Sequence, residues 1–214
     1  MGFYTCPSVL PDMPNMGCSV KYGQIQKIAF QRIGHPLSDI REKSAWTAAL
    51  ASTSVDKIVV TPYVESPEPD GGDERTFGSC NEVRDGIEYV MGINPVKMTF
   101  QLRNYQQRVI RAMKHLTTFQ DLGVYFFTQN GIIAMKDGSN HVPIPIRAMF
   151  VGDLLMHGLA QPDRNILSFR FKANYSDYLE VVVPNFNPIE ELMNADHYIG
   201  DGSFSRAFNF SFDV

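Results

Sequence analysis

Strand-like segments follow one another along the second half of this chain with no helix set regularly between them. That order excludes a doubly wound parallel sheet, which needs strands and helices in alternation. Over 165–172, Leu167, Phe169 and Phe171 alternate with Ser168 and Arg170. Near the end, Phe204, Phe208, Phe210 and Phe212 oppose Ser205, Asn209 and Ser211. A period of two residues is what a half-buried antiparallel strand requires. Asn130-Gly131 lies between LGVYFFTQ and GIIAMK, and both turn residues tolerate positive φ, so this stretch reads as a β-hairpin. VPIPIRAMFVG at 142–152 reads as a proline-marked edge entering a strand, and YLEVVV at 178–183 as a strand stopped by Pro184.

The first half is more mixed. Pro7, Pro11 and Pro14 stand among small residues, so 1–20 reads as an extended N-terminal arm. Residues 22–33 form a first strand with Gln26, Ile28 and Phe30 on one face. Asp39 and Glu42 have capping-box spacing before an Ala-rich stretch, which predicts a short helix near 39–51 holding the only tryptophan, Trp46. DKIVVTPYV at 56–64 is a strand interrupted by Pro62, and 65–80 is a long acidic loop rich in Pro and Gly. Thr99 is placed to cap a helix over 100–116, where Leu102, Tyr105, Val109, Met113 and Leu116 recur at helical spacing. Arg103, Gln107, Arg111 and Lys114 occupy another face of that helix. Asn187-Pro188 predicts a capped short helix. Seven or eight strands with one substantial helix and two short ones make an α+β, mainly β chain. The expected architecture is an antiparallel β-sandwich or open β-barrel with one packed helix, a single domain over 21–214.

Composition removes several function classes. The chain has 214 residues, a formal charge of −4, and 20% charged and 12% aromatic residues, which suits a folded domain and not a disordered one. The acidic balance argues against a dedicated DNA-binding surface. No apolar run approaches the length of a membrane-spanning helix. The N-terminal segment lacks a basic start and a continuous apolar core, and Cys6 stands where a myristoylation motif wants Ser or Thr. Cys6, Cys18 and Cys80 are odd in number and lack C-x-x-C spacing, so free thiols in a reducing compartment are expected, with no metal.

No motif identifies a reaction. Asp70-Gly71-Gly72-Asp73-Glu74 matches the GGDE signature of nucleotide cyclases in letters, but it sits between proline-rich flanks and Arg75 replaces the usual aromatic. EF-hand spacing is absent. His35, His115, His141, His157 and His197 form no H-E-x-x-H pair, although Asp153 and His157 stand four apart. Nucleophile-elbow, Walker A and dinucleotide-binding turns are missing. Arg103, Arg108, Arg111 and Lys114 are too few for a nucleic-acid surface, and Trp46 reads as core. A non-enzymatic chain without cofactor is therefore expected.

The order IVVTPYVESPEPDGGDERTFG, then FQLRNYQQRVIRAMKHL, then strands ending in VVVPNFNP resembles structural proteins of tailed bacteriophages. The likeness is greatest to ring or tube proteins of the neck and tail of crAss-like phages that infect gut Bacteroidetes, over about residues 56–188. The resemblance implies a homo-oligomeric ring of six or twelve copies around the DNA channel, touching adjacent ring, portal or tail proteins. It implies a place in the virion, with assembly in the host cytoplasm, and no membrane. An acidic wall would let DNA pass without the counterion release that holds it to basic proteins. Ring closure needs one patch to meet a different patch. The basic residues Arg103, Arg111 and Lys114 and the acidic residues Asp70, Asp73 and Glu74 are the candidate pair. Two other readings stand beside this one. A monomeric ligand- or carbohydrate-binding sandwich would expose an aromatic platform, and a hydrolase would converge its site from loops.

Overall fold

A computed structural model describes residues 22–77, 89–103, 105–156, 163–172 and 174–192. The expected arm at 1–20, the strand at 204–212, all three cysteines, His157 and His197 lie outside them. The centre of the molecule is β7 (Leu122–Thr128), a strand with all seven residues buried. A strand buried on both faces needs a layer against each. It also needs hydrogen-bonded neighbours on both edges.

Both edges are filled. Along one runs β1 (Ile25–Arg32), antiparallel from Arg32 opposite Leu122 to Ile25 opposite Thr128. The other edge is shared. Its later half pairs with β8 (Gly131–Asp137), and its earlier half, at Gly123 and Val124, takes the start of β10 (Ile144–Val151). β8 carries β12 (Leu179–Val182) on one side and the short β9 (Asn140–Val142) on the other. β2 (Val59–Val60) extends the sheet beyond β1. Strand β10 is bulged between Ile146 and Ala148 and then pairs with β11 (Arg164–Phe171). β11 pairs with β6 (Lys97–Arg103), and β6 with β3 (Glu65–Asp70). The result is one open, antiparallel ten-stranded sheet folded over at β10, a sandwich-like α+β fold with no closed barrel among the described residues.

The fold brings two aromatic faces together. Phe169 of β11 lies edge-on to Phe30 of β1 at 5.9 Å, and its ring is within 6.3 Å of Phe126 in β7. Phe100 and Phe171 complete this core, and Ile110 and Met113 of α2 (Gln107–Leu116) close one side. The opposite face of β7 presents Tyr125 and Phe127 to Trp46 of α1 (Lys43–Ala51), with ring centroids at 5.2 and 5.3 Å. Trp46 is fully buried and its Nε1 donates to the Ile40 carbonyl, so the tryptophan is core, as its lone position suggested. α3 (Pro188–Glu191) packs on the same face, started as expected by Asn187, whose side chain accepts from the Ile189 N–H.

Several local expectations need correction. The helix expected over 100–116 is half strand: β6 occupies 97–103 and α2 begins only at Gln107. Leu102 fits helical spacing with Tyr105 and Val109 as well as a period of two with Phe100, and pairing with β11 decides between them. The acidic segment at 65–80 is not a plain loop, because β3 and β4 (Glu74–Phe77) lie in it. Pro67 and Pro69 are accommodated because β3 is an edge strand, with a register irregularity between Glu65 and Glu68. β10 is an interior strand rather than an edge. The hairpin turn sits at Gln129-Asn130, with Gly131 already opening β8 opposite Thr128. Gly131 alone of the expected pair has positive φ, 140°, and a Cβ there would lie 2.5 Å from the Val182 carbonyl oxygen. Asp39 caps no helix; it accepts from the Arg41 N–H in the turn before α1.

Phe169→Ala removes the ring that joins both halves of the folded sheet. A loss of about 3–5 kcal/mol is expected from its cavity and lost burial, read as a lower denaturant midpoint with an unchanged slope.

Candidate functional site

The β3–β6 pair does not end at the sheet. After Asp70 the chain bends through Gly71 and Gly72 into β4, which pairs antiparallel with β5 (Tyr89–Ile93); the return passes through Asn94 and Pro95 into β6. The Gly72 N–H donates to the Asn94 carbonyl and the Asn94 N–H to the Asp73 carbonyl, so the ladder carries through the bend. Gly71 and Gly72 have φ of 91° and 86°, and a Cβ on Gly71 would stand 2.6 Å from the Pro95 carbonyl oxygen. The Asp-Gly-Gly-Asp-Glu segment is thus the bend of a long two-stranded arm, and its glycines are there for backbone geometry.

Beyond the bend, the arm packs on no core. Every residue of β5 is exposed, including Tyr89 and Ile93, and Val90, Met91 and Phe77 are 66%, 59% and 57% exposed. Apolar side chains therefore face outward on both surfaces of a two-stranded ribbon. Such ribbons are marginal by themselves and are stabilised by packing against something else.

A second surface is the outward face of the β10–β11–β6 half. Residues directly opposite in antiparallel strands share a face, so the register fixes its members. Arg103 lies opposite Arg164, and Lys97 opposite Arg170. Both pairs point away from the face that carries Phe100, Leu102, Leu167 and Phe169 into the core. Phe150 of β10 stands on this outward face opposite Ser168 and is 61% exposed. Leu155, bridged to Arg164, and Met156 extend the apolar area beside it. On the β3 side the same face carries Glu65, Glu68 and Asp70. Arg103 reaches Glu65 with 3.1 Å between Nη1 and Oε2, while Lys97, Arg164 and Arg170 make no ion pair among the described residues. The Nε atoms of Arg103 and Arg164 are buried without an acceptor.

The six residues singled out from the sequence are scattered by the fold. Arg103 is on β6 and Arg111 is exposed on α2. Lys114 on α2 pairs with Asp153, which holds the Asp153 carboxyl below its usual pKa range. Asp70 ends β3 opposite Lys97, Asp73 lies in the bend, and Glu74 opens β4. Inside the chain, Arg103 is paired with Glu65 of the acidic segment. Arg164 and Arg170 were missed, although the alternation over 165–172 already placed Arg170 on the outward side.

The remaining charges are structural ties. Glu180 on β12 accepts from His141 of β9 at 2.9 Å and lies 3.4 Å from Lys136 of β8, and these contacts lower its pKa, the histidine bond most. Lys27 of β1 is buried, donates to the Ile189 carbonyl of α3, and sits 4.9 Å from the Tyr63 ring centre. Burial lowers its pKa. No group of three or more metal-ligating side chains occurs among the described residues, and none of their helices is long and apolar enough to cross a membrane. No protein-family model matches the chain, and no curated protein matches it in sequence.

Two outcomes are expected. Gly71→Ala strains the bend, so protease cutting within the arm increases while the main unfolding transition moves little, because no core residue is disturbed. For Lys27 the folded pKa lies below the ordinary 10.5, so the unfolded chain binds more protons between those two values. Stability relative to Lys27→Met should therefore rise as pH climbs toward 10.5, and a melting-temperature difference that ignores pH would refute this.

Proposed function

We propose that this chain is a non-enzymatic structural subunit of a phage neck or tail, forming a homo-oligomeric ring around the DNA channel and touching adjacent ring, portal or tail proteins. The observation that carries the reading is the projecting β4–β5 ribbon, exposed and apolar on both surfaces. An apolar ribbon in water is unfavourable unless another chain covers it, and a repeating assembly supplies that cover in every copy. The doubly covered β7 layer supports the same reading, since it gives a rigid wall from which the arm can reach. The sequence order that resembles crAss-like phage ring and tube proteins adds the location, the virion.

A carbohydrate-binding sandwich would instead present aromatic rings from a sheet face. Here the outward face of β10–β11–β6 presents Phe150 among arginines and lysine, a composition that favours protein contact.

Light scattering after size exclusion, with negative-stain imaging, tests the proposal. Closed rings of a uniform copy number are expected. A chain that stays monomeric at the highest concentration it tolerates counts against it.

A further inference from the structure

We propose that the β4–β5 ribbon of one copy docks on the outward β10–β11–β6 face of the next, with Asp73 and Glu74 meeting Arg164. The inference rests on the reading as a self-assembling subunit and names the two surfaces that join.

Three observations select a second copy as the occupant. First, the two surfaces complement each other. The ribbon brings Phe77, Val90 and Met91 with Asp73 and Glu74 near its base, and among its described residues Arg75 carries the opposite sign. The face brings Phe150, Leu155 and Met156 with Arg103 and Arg164, where Glu65 is the facing carboxylate, while at its other end Asp70 already stands opposite Lys97. Second, the face is electrostatically incomplete. Like charges directly opposite on neighbouring strands repel; Lys97 and Arg170 have Asp70 across from Lys97, whereas Arg103 and Arg164 stand opposite each other at the far end of the face. Glu65 answers one arginine only. A carboxylate brought to Arg164 would bind its guanidinium in the geometry that group favours. Third, the surfaces sit at opposite ends of one strand. The arm leaves β6 at Lys97, whereas Arg103 and Arg164 lie at its other end, about 20 Å away at the usual rise per residue. A donor at one end and an acceptor at the other make a head-to-tail interface, the kind that closes a ring.

The docked state covers Val90 and Met91 against Phe150 and Met156. It also places carboxylates where the face has excess positive charge. Association should therefore weaken with salt, yet not vanish, because the apolar part is insensitive to screening.

Complementation of two defective variants tests this. Val90→Asp spoils the ribbon and leaves the face intact; Arg164→Glu spoils the face and leaves the ribbon intact. Phe150→Asp serves as a second face variant, and melting curves like wild type certify each fold. Each variant alone should self-associate at least about thirtyfold more weakly than wild type, as for loss of one partner of a buried charge pair. An equimolar mixture of Val90→Asp with either face variant should form a dimer and stop there, since only one good ribbon and one good face remain. If wild type assembles and the face variants assemble equally well, the docking is overturned and the ring reading stands. A mixture that stays monomeric also overturns the docking. A wild-type chain that never assembles overturns the ring reading itself, and the docking with it.

Discussion

The architecture depends on one strand having no exposed face. β7 is fully buried, so its backbone must be paired along both edges and its side chains covered on both sides. β1 fills one edge. The other is divided between β8 and β10, and this division makes β10 leave the first half of the sheet and begin the second. From that handover follow the fold of the sheet on itself, the meeting of Phe30, Phe126 and Phe169, and the outward face of β11 and β6. The covering of β7 by Trp46 and α3 on the other side completes three layers.

Polar groups inside these layers are satisfied locally. Thr61 accepts from the Ile28 N–H, Tyr125 donates to Gln31, and Asn165 donates to the Gly152 carbonyl. Lys27 is the costly exception: an ammonium group in a buried position, held by one carbonyl and one aromatic ring. Its anchor is α3, so β1 and the helix after β12 are joined across a sequence separation of 162 residues. Against this interior, the arm and the outward arginine face stand out, because apolar groups in the one and cations such as Arg164 in the other lack partners among the described residues.

Much of this was legible in residue patterns. Alternation placed Leu167, Phe169 and Phe171 inward and Arg170 outward, and it did so because a strand covered on one side obeys a period of two. Asn187-Pro188 marked a helix start through cap chemistry that acts within three residues. Trp46 was read as core. The segment 97–103 is a strand and not a helix although Leu102 satisfies both periodicities, and its partner β11 lies more than sixty residues later. The charged cluster was grouped on a helical face that does not exist over Arg103. Arg164 had no local signal, since its importance comes from standing opposite Arg103.

The sequence by itself determined the antiparallel, mainly β class, the alternating strand over 165–172 and the helix start at Asn187-Pro188. These depend on interactions a few residues long. Only the tertiary structure decided that β7 is central, that β10 serves two halves, that Glu65 claims Arg103, and that the ribbon projects uncovered. Strand partners are chosen by burial and hydrogen bonding between distant segments, and a pattern along the chain carries no record of which distant edge will be free to receive it.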